Sequence, residues 1–131
     1  MGPRVLIADD DRVFVLMVSK GLKAKGFEIS VAYDGMQAMM GAVRAVPDVI
    51  LLDVNMPGGD GIGTLQKLRA STKTSQIPIV VTSSVTDPGL PQRVMDLGAT
   101  GFIQKPTNFG DLYLNLCRFL GREPQPDTSP R

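Results

Sequence analysis

The chain is predicted to fold as an α/β sandwich in which a parallel sheet carries helices on both faces, and three observations carry that prediction. First, Val49-Ile-Leu-Leu is an apolar run too short for a helix and rich in branched side chains, as expected of a strand buried on both faces. Second, that run stops at a carboxylate, Asp53, and Asn55-Met-Pro57-Gly58-Gly59 follows at once, so the backbone must turn there and leave the acid at the mouth of a loop. Third, similar short runs recur along the chain, each followed by a stretch long enough for a crossover helix.

In chain order, Arg4 to Ala8 is the first strand, and it ends in the acids Asp9, Asp10 and Asp11. A helix is expected from about Arg12 to Lys25, closed by Gly26. Glu28 to Ala32 forms the second strand. Asp34-Gly35 then turns into a helix from about Met36 to Ala45, stopped by Pro47, with Met36, Met39 and Met40 read as core filler. After the third strand, Val49 to Asp53, a helix runs from Gly61 to Ala70, and Ile77 to Ser84 supplies the fourth strand. The connection Val85 to Leu90 holds Asp87-Pro88-Gly89, the least regular link of the chain, and Pro91 suits the first turn of a short helix to about Leu97, closed by Gly98. Gly101 to Pro106 is the fifth strand. Asn108 is placed to cap a last helix from Phe109 to Leu120, whose Phe109, Leu112, Tyr113, Leu116, Phe119 and Leu120 share one stripe. Right-handed crossovers then give the flavodoxin-like arrangement with strand order 2-1-3-4-5. Residues 1–121 are expected to form one domain, and residues 122–131 a polar, Pro-rich tail or the start of a linker.

Composition narrows the chemistry. At 131 residues and 43% hydrophobic, the chain has material for one substantial core. Fourteen Lys and Arg against 13 Asp and Glu give no global attraction to nucleic acid or to an anionic membrane, so neither is an expected partner. A single cysteine, Cys117, and no leader or apolar run of about 18 residues predict a soluble cytoplasmic domain. The absence of His excludes a Ser-His-Asp triad and a His-based zinc site. Carboxylates, hydroxyls and amines remain.

In the predicted fold one sheet edge gathers Asp9, Asp10, Asp53, Ser83 and Lys105 from the ends of four strands. Three clustered acids repel unless a cation neutralises them, and a hard divalent ion such as Mg²⁺ takes oxygen ligands. Asp10 and Asp53 are the expected direct ligands, the backbone carbonyl of Asn55 a third, and Asp9 acts through water. Asp53 then has an oxygen free to attack phosphorus, with Lys105 and Ser83 meeting the charge on the transferring group. Each residue alone has a plainer reading. Asp11 is better explained as a helix N-cap, a lone Lys105 as a solvated lysine, Ser83 as a satisfied hydroxyl and Phe102 as core.

Taken together, these stretches resemble the receiver domains of two-component response regulators. The likeness rests on Ala8-Asp9-Asp10-Asp11, on Leu52-Asp53-Val-Asn-Met-Pro57 with Asp60-Gly61, on Pro78 with Ser83, and on Gly98-Ala-Thr-Gly-Phe102-Ile-Gln-Lys105-Pro106. It covers residues 4–120. The resemblance implies that Asp53 accepts a phosphoryl group from a histidine kinase or phosphotransfer protein with Mg²⁺ bound. It further implies that Ser83 reorients toward the phosphate and that Lys105 contacts it. Phe102 would act as the switch aromatic, and the Lys105–Pro106 bond would be cis. An attached output domain or a separate protein would read the change. The first helix, apolar nearly all round from Val13 to Val18, is expected to expose part of Val15 and Leu16 as a docking patch for the donor. Aspartate-dependent phosphatases of the haloacid dehalogenase type fit less well, because Asn55 stands where they place a general acid. A flavin carrier fits less well too, because the loop after the first strand is acidic.

Overall fold

A computed structural model describes residues 2–56 and 61–126. Pro57, Gly58, Gly59 and Asp60 of the third-strand motif lie outside the described residues. The elements are β1 (Arg4–Ala8), α1 (Arg12–Ala24), β2 (Glu28–Ala32), α2 (Gly35–Arg44), β3 (Val49–Asp53), α3 (Gly61–Ala70), β4 (Ile79–Ser83), α4 (Leu90–Asp96), β5 (Gly101–Gln104) and α5 (Phe109–Leu120). All strand pairs are parallel, in the order β2-β1-β3-β4-β5 expected from the sequence.

Alternation along the central strands divides the core into two layers. Leu6, Ile50, Leu52, Ile79 and Val81 pack on one face against Ala38, Leu65, Leu68 and Val94 of α2, α3 and α4. Val5, Ile7, Val49, Leu51 and Val80 pack on the other against Val18 and Leu22 of α1 and Leu112 and Leu116 of α5. Each such Leu, Ile or Val side chain taken out of water contributes roughly 1.5–3 kcal/mol, so the sheet is held rigid from both sides. Its carboxyl ends form a fixed platform.

Local chemistry sets the boundaries. Asp11 Oδ1 accepts from the N–H groups of Val13 and Phe14 and starts α1, and Asn108 Oδ1 accepts from Asp111 N–H and starts α5, both as expected. Gly98, with φ of 104°, lets the chain leave α4 in the left-handed region. At Gly61 an added Cβ would lie 2.2 Å from Val54 Cα, which is why α3 can begin so close to the end of β3. β4 is shorter at both ends than the apolar run suggests. The Ile77 carbonyl is taken by the Arg69 guanidinium at 2.7 Å, and Ser84 N–H turns to Asn55 Oδ1 at 3.2 Å. β5 likewise ends at Gln104, before the cis Lys105–Pro106 peptide.

Two packing expectations are corrected. Met36 and Met40 are 72% and 54% exposed, and only Met39 packs against the core. Ala38 and Ala42 are the residues of α2 that face the sheet, and at 3.6 residues per turn Met36 and Met40 point nearly the opposite way. In α1 the buried face is Phe14, Val15, Val18 and Leu22, so Val15 is inside, while Val13 (79%) and Leu16 (60%) are the exposed apolar residues. The segment after α5 is held against the domain at its start: Gly121 turns the chain, and Gln125 N–H donates to Tyr113 Oη at 2.7 Å. No helix among the described residues is long and apolar enough to cross a membrane.

Candidate functional site

Asp9, Asp10 and Asp53 converge because β1 and β3 are neighbours and end at the same level, with Ala8 paired to Leu52. One carboxylate oxygen from each lies within 4.8 Å of the others. Asp9 and Asp53 are buried and Asp10 is exposed, so the cluster opens to solvent on one side. From β5's end Lys105 reaches in, its Nζ 2.6 Å from Asp9 Oδ2 and 3.8 Å from Asp53 Oδ2.

Each acid is also fixed by backbone. Asp9 Oδ1 accepts from Asp11 N–H at 2.9 Å, and Asp53 Oδ1 accepts from Asn55 N–H at 2.9 Å. This leaves Asp53 Oδ2 as the oxygen facing Lys105. Burial is the largest influence on the Asp53 carboxyl and pushes its pKa up to about 6. The Asn55 N–H opposes this, the Asp9 carboxylate adds to it, and the Lys105 ammonium opposes it. One ammonium against three acids leaves the cluster short of positive charge. Its oxygen-only donors suit a hard divalent ion, so the residues fit the metal expected from the sequence.

Ser83, at the end of β4, is fully buried. Its Oγ donates to Asn55 Oδ1 at 2.8 Å and accepts from Val85 N–H at 3.1 Å, so it is tied to the β3 loop and to the start of the β4–α4 connection. Phe102, half-buried on β5, packs against the α2–α4 side of the core.

Three contributors escaped the sequence reading. The Asn55 side chain was considered only as a missing general acid, yet its amide oxygen holds both Ser83 and Ser84; an amide two residues beyond the key acid was the available signal. The Phe14 ring lies 4.2 Å from Lys105 Nζ. Gln104 Nε2 donates to the Ser83 carbonyl at 2.8 Å, a contact set by the pairing of Ser83 with Gln104, which no local pattern reveals.

Comparison with known proteins agrees with this geometry. Residues 5–116 match the family model of the response regulator receiver domain. The chain is 34% identical over 127 residues to the transcriptional regulatory protein PrrA of Mycobacterium leprae, covering 97% of this chain and 54% of that one. It is 38% identical over 106 residues to the response regulator PleD of Caulobacter vibrioides, covering 81% of this chain and 23% of that one. The chain thus spans about half or less of these curated relatives. Among solved structures it superposes on the chemotaxis response regulator CheY4 of Vibrio cholerae with a TM-score of 0.85 at 34% identity, over 91% of this chain and 99% of that one. The receiver domain of the sensor histidine kinase PA1611 from Pseudomonas aeruginosa, solved with a magnesium ion coordinated in its active site cleft, gives 0.82 at 26% identity, over 92% and 99%. With four strand ends meeting at one acidic pocket and a family match across almost all of the folded residues, this chain belongs to the response regulator receiver domains, the phosphoaccepting modules of two-component signalling.

Proposed function

We propose that Asp53 is the phosphoacceptor and that its Oδ2 is the attacking atom. The observation that carries this is the placement of a buried carboxylate at the end of β3, with one oxygen held by Asn55 N–H and the other facing an ammonium. With a pKa of about 6 the carboxylate is largely ionised at neutral pH and is a better nucleophile than an ordinary aspartate. Oδ2 forms the new P–O bond while the bond from phosphorus to the donor's leaving atom breaks, its electron pair leaving with the donor. Lys105 turns from Asp9 toward the phosphoryl oxygens, and Ser83 Oγ, released from Asn55, donates to another of them. Asp10, Asp53 and the Asn55 carbonyl would hold Mg²⁺, with Asp9 acting through water, and the bound ion would supply the positive charge that the cluster lacks.

In this reading residues 1–121 are the receiver and residues 122–131 a tail or linker. The donor is a cytoplasmic histidine kinase or phosphotransfer protein, and the output is an attached domain or a separate protein. The chain modifies only itself, and its own site catalyses hydrolysis of the aspartyl phosphate. The test is intact mass after incubation with acetyl phosphate and Mg²⁺. Gain of one phosphoryl group is expected in the unmodified chain and none in Asp53→Asn or with chelator. Labelling that persists in Asp53→Asn would assign the acceptor elsewhere.

A further inference from the structure

Lys105 has two holds in this structure. Its Nζ is paired with Asp9 Oδ2 at 2.6 Å, and it lies 4.2 Å from the centre of the Phe14 ring. The backbone of Phe14 is tied to Asp9 through Asp11. Asp9 Oδ1 accepts from Asp11 N–H, and Asp11 Oδ1 accepts from the Phe14 N–H at 3.2 Å, so Asp9, Asp11, Phe14 and Lys105 form a closed circuit of contacts. Phe14 is nearly buried, and it lines, with Lys105, Pro106 and Thr107, a groove of about 380 Å³ beside the acid cluster.

We propose that Phe14 is a positioning residue for Lys105, holding the ammonium at the mouth of the site by cation–π attraction when Asp9 lets it go. The two holds differ in what weakens them. A metal ion bound among the acids competes for the negative charge that attracts the lysine, whereas the ring's quadrupole is unaffected by that ion's ligands. The ammonium must leave Asp9 to meet the phosphoryl group. Without the ring, a long flexible side chain released from its carboxylate would spread over many rotamers and be lost to solvent for much of the time. With it, the chain stays within a short swing of Asp53 Oδ2, now 3.8 Å away. The inference rests on Asp53 as phosphoacceptor.

The experiment replaces Phe14, in the full chain, by phenylalanines carrying one, two or three ring fluorines, which withdraw electron density from the face and leave ring size nearly unchanged. The readout is the rate of Asp53 labelling by acetyl phosphate at saturating Mg²⁺, with the apparent affinity for beryllofluoride as a second measure. Both should fall stepwise with fluorine number, with Phe14→Leu at the end of the series about 2- to 30-fold below the unmodified chain and Phe14→Tyr close to it. A merely structural ring would give the same rate across the fluorinated series. A flat series, a rising one, or a Phe14→Leu chain as fast as the original would overturn the proposal while leaving Asp53 as acceptor. Absence of labelling in the unmodified chain would instead overturn the phosphoacceptor reading itself.

Discussion

Ser83 Oγ–H donates a hydrogen bond to Asn55 Oδ1, 2.8 Å away, and the same amide oxygen accepts from Ser84 N–H at 3.2 Å. The residue expected to meet the phosphoryl group is therefore already committed to a partner on the neighbouring loop. A neutral hydrogen bond of this kind contributes about 1 kcal/mol, and a charge-assisted bond to a phosphoryl oxygen is roughly twice as strong, so the exchange is favourable only after modification. With Asp53 as the proposed acceptor, those are the conditions for a switch that would rest in one state until the phosphoryl group arrives.

The first prediction concerns that exchange. Asn55→Ala keeps the backbone carbonyl and removes the competing partner, so the apparent affinity for beryllofluoride with Mg²⁺ should rise about 2- to 10-fold, the equivalent of the lost hydrogen bond. In backbone NMR, beryllofluoride shifts should spread from Ser83 through residues 85–90 to Phe102, and Ser83→Ala should shrink them. Shifts confined to the loops around Asp10 and Asp53 would leave a phosphate store and no switch.

A second prediction follows from the raised Asp53 pKa. A carboxyl at about 6 when folded and 3.8 when unfolded holds its proton more tightly in the native state, so its contribution to stability is fully present below pH 4 and is lost as pH rises through 6. The loss is on the order of 2–3 kcal/mol. Without metal, Asp53→Asn should be more stable than the unmodified chain at pH 8 by that order, with the gap closing below pH 4, as measured by urea unfolding. Mg²⁺ should narrow the gap at pH 8, and its affinity should weaken as pH falls through 6. A gap independent of pH would mean that the Asp53 pKa is the same in both states.

The third prediction keeps Leu16 in the expected docking patch and replaces Val15 by Val13. Val15 is inside, and Val13 and Leu16 are the apolar side chains that α1 shows to solvent; Val13 also lines the groove shared with Lys105 and Pro106. Val13→Glu with Leu16→Glu should slow phosphotransfer from a histidine-containing donor at least tenfold, the cost of setting two charges against an apolar helix bundle, and leave acetyl phosphate labelling unchanged. Equal loss of both rates would show that the fold had been damaged.

The order of elements and the strand-end positions of the acids could be read from the chain, because each depends on signals only a few residues long, and the strand topology followed from the fold class that those elements spell out. Apolar runs mark strands, Asp11 and Asn108 cap their own helices, and an acid that ends one strand lies level with an acid that ends its neighbour. A known strand order is enough to bring Asp9, Asp10, Asp53, Ser83 and Lys105 to one edge. What lies between elements was not legible. Met36 and Met40 looked like core because they are apolar, but Ala38 and Ala42 lie against the sheet and turn the methionines outward. The Ser83 hydroxyl found Asn55, Lys105 found Phe14 and Arg69 found the Ile77 carbonyl through distances set by how helices and strands pack. A pattern within one element fixes which residue types face inward. Which side chain each one meets is decided by packing with elements distant in the chain, and so only by the tertiary structure.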